Sequence, residues 1–270
     1  MTLMGPADSC VNDTWGSKAF KRRNGGLNMK TFSMTDVGRR REMNQDYVFT
    51  SETAVGKLPN LFLVADGMGG HKAGEYASRR AIEIIVEHIK AGESKQAVTL
   101  IKKGILEANR YLLKEALIDI EKEGMGTTIV IATIIGKKLL AANVGDSRLY
   151  IVNEEEISQV TRDHSYVAEM VRSGKIKKSE AKYHPDKNKI TRAVGVFPTV
   201  DVDFFEVELK EHDMVLLCTD GLTNMVDDED IKSIILAQRD IVEQTQALVE
   251  AANKNGGTDN ITVLLVEPFV

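Results

Sequence analysis

Along the chain, short, nearly unbroken apolar runs alternate with longer stretches in which apolar residues recur every three or four positions. "YVFTSE" and "LFLVAD" are rich in β-branched and aromatic residues and predict strands. Beyond them, Ala77, Ala81, Ile84, Ile85 and Ile89 fall at helical spacing, which predicts an amphipathic helix from 73 to about 89. A second helix is expected from about 94 to 120. "TTIVIATII", "KLLAANV" and "RLYIV" then follow one another closely, joined only by Gly136-Lys137 and by Gly145-Asp146-Ser147. Joins this short suit an antiparallel meander and leave no room for crossover helices. "VDFFEVEL" and "MVLLCTD" resume the strand pattern. "DDEDIKSIILAQ" and "VEQTQALVEAANK" read as helices, the first opening on acidic residues that suit the positive end of its dipole. "ITVLLVE" closes the chain as a buried strand.

Strands and helices thus come in blocks, the pattern of an α+β fold in which antiparallel sheets pack together with helices outside. One domain is expected over 29–270. The polar segment 165–190, helical in pieces and without a strong apolar face, reads as a surface insertion. Residues 1–28 show no sustained periodicity and are expected to form a disordered leader or extension.

A formal net charge of −5 argues against a nucleic-acid-binding surface. The chain has no apolar run near the roughly 20 residues that span a bilayer. Of the two cysteines, Cys10 lies in the leader and Cys218 in an apolar run, so no structural disulfide is expected, in keeping with a reducing cytoplasm.

Candidate chemistry lies at the ends of the strands. "LFLVADGM" and "MVLLCTDGL" share one design: an apolar strand, then Asp66 or Asp220, then glycine. Asp259 immediately precedes the strand "ITVLLV", Asp146 follows "LLAANVG", and Asp46 precedes "YVFT". Any one Asp-Gly pair reads equally well as a turn. Aspartates at strand ends share a rim where the strands lie side by side, and clustered carboxylates either hold protons or demand a cation. Oxygen donors alone suit a hard divalent ion, Mg²⁺ or Mn²⁺. The glycine after Asp66 would let its carbonyl come close to such an ion. The glycines from Gly67 to Gly74 match neither a dinucleotide fingerprint nor a P-loop.

In order, "GRRREMNQD", "VADGMGGHKAGEYAS", "MGTTIV", "VGDSRLY", "LLCTDGLTNMV" and "GGTDNITVLLV" resemble the metal-dependent serine/threonine protein phosphatases, the PPM or type-2C family. The similarity is closest to the bacterial members that oppose membrane-bound Ser/Thr kinases. It implies a four-layer α-β-β-α sandwich of two mainly antiparallel sheets flanked by helices, with a metal site at one end. Position by position, it implies that Asp66 bridges two metals, with the Gly67 carbonyl and Asp46 on one of them. Asp220 and Asp259 would hold the other, and Asp146 a looser third. Arg41 would grip the substrate phosphate, Asn260 would lie at the site rim, and 165–190 would form a mobile flap. Animal and plant relatives carry a histidine directly after the Asp-Gly pair. Here that position is Met68, and His71 becomes the candidate for substrate binding or proton donation. His184, on the flap, is the other candidate for substrate contact.

The activity so implied is hydrolysis of phosphoserine and phosphothreonine in proteins by a metal-activated water, with Mn²⁺ or Mg²⁺ as cofactor. The expected partners are a cognate kinase and its substrates, and the protein would be a cytoplasmic monomer. The alternatives are a phosphatase for a small anti-sigma-factor antagonist and a non-catalytic binding module on the same fold. Retention of the five aspartates speaks against the latter.

Overall fold

A computed structural model describes residues 29–70, 72–238 and 240–270; the leader, with Cys10, lies outside them. The strands are β1 (Lys30–Asp36), β2 (Asp46–Ser51), β3 (Leu61–Met68), β4 (Gly126–Thr127), β5 (Ile129–Ile135), β6 (Lys138–Val144), β7 (Arg148–Val152), β8 (Ile157–Gln159), β9 (Asp203–Glu208), β10 (Met214–Cys218) and β11 (Ile261–Glu267). The helices are α1 (Ala73–Ala91), α2 (Ala97–Ile118), α3 (Tyr166–Arg172), α4 (Lys178–Ala181), α5 (Asp220–Thr223), α6 (Asp228–Ala237) and α7 (Ile241–Lys254).

One sheet has the order β1-β11-β10-β7-β8, and the other runs β2-β3-β5-β6-β9 with β4 beside β3. All their ladders are antiparallel. The apolar runs are continuous because the central strands are buried on both faces. In β3, Leu61, Leu63 and Ala65 face a core shared with α1 and α2. Phe62 and Val64 face the core between the sheets. In β11, Ile261, Val263 and Leu265 face a third core with α6 and α7, while Leu264 and Val266 face the inter-sheet core. Successive side chains of a strand point to opposite faces, so each central strand serves two cores. The result is the four-layer α-β-β-α sandwich.

The expected meander is corrected in one respect. β5 and β6 do form a hairpin around Gly136-Lys137, with Ile135 opposite Lys138. β7, however, leaves for the other sheet, where it pairs with β10 and β8. Three residues are as able to turn the corner of a sandwich as to close a hairpin, and Gly145 makes the corner at φ 110°. The sequence reading also passed over β1, which pairs with β11 along its whole length. The segment 165–190 folds as α3 and α4. Lys182 donates to Asp227 at 2.6 Å and so ties α4 to the start of α6.

Strand direction positions the carboxylates. β3, β6 and β10 run toward one end of the sandwich, with Asp66 two residues before the end of β3 and Asp146 and Asp220 two residues beyond β6 and β10. β2 and β11 start from that end, at or just after Asp46 and Asp259.

Candidate metal centre

Asp46 and Asp66 are directly opposed in the β2–β3 register. Asp46 is 6% exposed. Its Oδ2 accepts from the hydroxyls of Thr219 (2.9 Å) and Thr262 (2.7 Å), both on the opposite sheet. Its Oδ1 is buried and has no hydrogen-bond partner. Asp220 repeats this arrangement: Oδ2 accepts from Asn224 Nδ2 at 2.8 Å, while buried Oδ1 is orphaned. A buried carboxylate oxygen without a donor is costly, so both atoms are suited to a cation.

Burial, then the charges of Asp46, Asp220, Asp146 and Asp259, hold the Asp66 carboxyl well above the usual carboxylate range. Burial also lifts Asp46 to about 7, with Asp220 and Asp259 adding to the effect and the two threonine hydroxyls opposing it. Asp220 rises to about 6, from burial and from Asp259. Asp146 is raised by burial and by Asp220 and Asp163. The five aspartates therefore form one electrostatic cluster. Among the described residues, no three His, Cys, Asp or Glu side chains close on a single point as a complete ligand cage. An all-oxygen site of this openness fits an ion such as Mg²⁺, which keeps several of its waters.

The two Asp-Gly pairs are not turns at positive φ. A Cβ on Gly67 would stand 2.0 Å from the Gly74 carbonyl oxygen, and one on Gly221 would stand 1.8 Å from that of Asn260. Glycine is required at each because another backbone segment lies against it: the first turn of α1 in one case, the approach to β11 in the other.

Arg41 lies on the loop between β1 and β2 and donates from Nη2 to Asp259 Oδ2 at 2.8 Å. Asn260, only 5% exposed, sits beneath this loop and not at a rim. Its Nδ2 donates to the carbonyls of Val37 and Met43 (2.9 Å each), and its Oδ1 accepts from the Gln45 amide at 2.8 Å. The Gln45 carbonyl in turn accepts from the Gly67 amide (3.1 Å) and the Ser78 hydroxyl (2.6 Å), linking the loop to the Asp66-Gly67 segment.

His184 belongs to the insertion, where its Nδ1 accepts from the Asp186 amide at 3.1 Å and its ring lies 6.3 Å from that of Tyr166. His71 lies outside the described residues.

The sequence reading missed the hydroxyls. Besides Thr219 and Thr262, Thr128 Oγ1 accepts from the Asp66 amide (2.9 Å) and pairs with Ser147 Oγ (2.7 Å), beside Asp146. A weak signal lay in three of the five motifs, where a Thr or Ser stands within three residues of Asp220, Asp259 or Asp146, as in "CTDG", "TDNIT" and "GDS".

The family model of Protein phosphatase 2C matches residues 37–265. The serine/threonine phosphatase stp of Listeria innocua is 41% identical over 239 residues, 86% of this chain and 93% of that protein. Among solved structures, the serine/threonine phosphatase Stp1 from Staphylococcus aureus matches with a TM-score of 0.81 at 35% identity, covering 92% of this chain and 98% of that one. The catalytic domain of the phosphatase PstP, solved in complex with 2 manganese ions, matches with a TM-score of 0.79 at 29% identity, over 90% and 99% of the two chains. The chain belongs to the protein phosphatase 2C family and is thereby a protein phosphatase. Among the described residues, no helix is long and apolar enough to cross a membrane.

Proposed function

We propose that this chain removes phosphate from phosphoserine and phosphothreonine in proteins, in the cytoplasm, as a monomer opposing a cognate Ser/Thr kinase. The observation that carries the reading is the convergence of five aspartates with the Oδ1 atoms of Asp46 and Asp220 buried and orphaned. On this reading Asp46, Asp66 and the Gly67 carbonyl would hold one Mn²⁺ or Mg²⁺ ion, and Asp66, Asp220 and Asp259 would hold a second. Asp146 would help to hold a third, weaker ion. When bound, the ions activate a water as nucleophile near neutral pH and offset charge on the phosphoryl oxygens.

The chain's own groups supply orientation. Thr219 and Thr262 hold Asp46 Oδ2 and so aim Oδ1 into the site. Asn260 fixes the loop that presents Arg41, whose guanidinium offers a fork for two phosphate oxygens. His184 is assigned to substrate contact from the insertion. His71 is assigned to substrate binding or to protonation of the leaving oxygen.

The test is turnover of a phosphothreonine peptide by dialysed protein in chelator, then with Mn²⁺ or Mg²⁺ added. Activity should vanish and return, and Asp66→Asn should abolish it more completely than any other single aspartate change. Full turnover in chelator would refute the proposal. Parallel assays on a phosphorylated anti-sigma-factor antagonist and on nucleic acid separate the substrate classes.

A further inference from the structure

The turn that carries Asp146 is held from outside the aspartate cluster. The Gly145 amide donates to Nδ1 of His164 at 3.0 Å. The Gly145 carbonyl accepts from the His164 backbone amide at 3.0 Å and from Asn143 Nδ2 at 3.1 Å. His164 is 3% exposed. Because a backbone amide can only donate, Nδ1 carries the lone pair and the ring proton sits on Nε2. Nε2 faces Asp203 Oδ2 at 3.2 Å. Arg192 Nη1, 3.3 Å from the same Nε2, donates to Asp203 Oδ1 at 2.9 Å.

These residues flank the insertion 165–190. His164 precedes it, and Thr191 and Arg192 follow it. Its ends are closed by the Ser165–Ile190 bridge and by the Thr191 amide donating to the His164 carbonyl at 2.7 Å. One imidazole thus touches the Asp146 turn on one side and, through Asp203 and Arg192, the far end of the insertion on the other.

We propose that His164 is a positioning residue for turnover, its ring fixing the Gly145 amide on the approach to Asp146 and joining both ends of the 165–190 insertion to it. The proposal rests on the reading of Asp146 as a ligand needed for turnover. Gly145 cannot be stiffened by a side chain of its own: it holds φ 110°, and a Cβ there would lie 2.6 Å from Thr128 Cβ. Orientation comes from the three hydrogen bonds to its peptide groups.

Two substitutions divide the ring's contacts. In His164→Asn the amide oxygen falls near the Nδ1 position and keeps an acceptor for Gly145. In His164→Gln the amide reaches toward Asp203 and leaves the Gly145 amide without a partner. With a phosphopeptide and saturating Mn²⁺, His164→Gln should lower kcat about tenfold with KM within about twofold, the scale of one lost buried hydrogen bond. His164→Asn should stay within about threefold of the parent kcat on the same scale. In an Asp146→Ala background, His164→Gln should lower kcat no further, because it acts through that carboxylate. Nitrogen NMR of the metal-free full chain should show Nδ1 of His164 unprotonated and hydrogen-bonded to the Gly145 amide.

Equal losses in the Asn and Gln variants, losses that multiply with Asp146→Ala, or a protonated Nδ1 would each overturn the proposal. If Asp146→Ala alone left kcat untouched, the ligand reading of Asp146 would fall and the link to turnover with it. The resonances would then still show whether the clamp exists. Should His164→Gln fail to fold, the Asn variant and the parent resonances decide.

Discussion

Arg41 and Asp259 are joined by a 2.8 Å ion pair, so the cation proposed to hold phosphate and a carboxylate proposed to hold metal neutralise one another in the metal-free chain. Both are partly exposed, and the pair by itself contributes little to stability. It does fix where Arg41 points before substrate arrives. Arg41→Ala should lower kcat/KM on a phosphopeptide by roughly ten- to hundredfold, the scale of a hydrogen bond to a charged group, while calorimetric binding of the core ions persists. Arg41→Lys should recover part of this, since an ammonium cannot present a fork. Arg39→Ala and Arg40→Ala, at exposed positions, should act only through salt-sensitive encounter. Equal losses at all three arginines would show a diffuse basic patch in place of an anchor.

The raised carboxyls set the pH response of the metal-free protein. Asp46 and Asp220, at 3.8 in the absence of such surroundings, hold their protons to about 7 and about 6. Between those limits the folded chain binds more protons than the unfolded one, so this contribution to stability falls as pH rises. It is fully present below 3.8 and lost as pH passes about 7. Urea midpoints in chelator should therefore drop between about pH 5 and about pH 7.5, and Asp46→Asn should flatten the drop. Mn²⁺ should reverse it and release protons on binding, a release that fades above the window. A metal-free protein whose stability climbs across this range would contradict the electrostatic account.

Thr219 and Thr262 reach Asp46 from the opposite sheet. Thr262→Val removes one hydroxyl donor at nearly constant shape and should weaken ion binding by about tenfold, from the loss of a charge-assisted hydrogen bond. Thr219→Val should do the same, and the double variant should fall short of the product, because both act on one oxygen. Isotherms indistinguishable from those of the parent would leave the hydroxyls with a packing role only.

Gly221 cannot accept a side chain. With a Cβ due 1.8 Å from the Asn260 carbonyl oxygen, Gly221→Ala should cost about 3 kcal/mol or more of stability by overpacking backbone on backbone. Gly67→Ala should behave alike against the Gly74 carbonyl. Gly70→Ala, where a Cβ meets nothing within 4 Å, should be close to neutral. Thermal and urea denaturation of the three variants checks the ranking, and a destabilised Gly70→Ala beside an intact Gly221→Ala would invert it.

Much of the fold was legible because burial on two faces makes a strand an unbroken apolar run. β3, β5, β6, β10 and β11 announce themselves in this way, and α1 and α7 do so by their helical stripe. β1 escaped because only Phe32 and Met34 interrupt its polar residues; its partners lie more than two hundred positions away, on β11. The destination of β7 could not be read from Gly145-Asp146-Ser147, since the same three residues fit a hairpin and a corner. The aspartates were legible as strand-end residues. The hydroxyls that aim them were not, because serine and threonine serve turns and strands everywhere. The backbone segments that exclude a Cβ at Gly67 and Gly221 lie at Gly74 and Asn260, contacts that no local sequence pattern shows.

The aspartate cluster straddles a seam. Asp46 and Asp66 arrive on one sheet, Asp220 and Asp259 on the other, and the Asp146 corner is the stitch between them. A chain in which only one sheet has formed holds half of the donors, and sliding one sheet past the other by a single residue would carry Thr219 and Thr262 out of reach of Asp46. The cluster therefore acts as a gauge of assembly. Its geometry is complete only when the two halves have docked in register, so ion binding reports on, and rewards, the last step by which the sandwich closes.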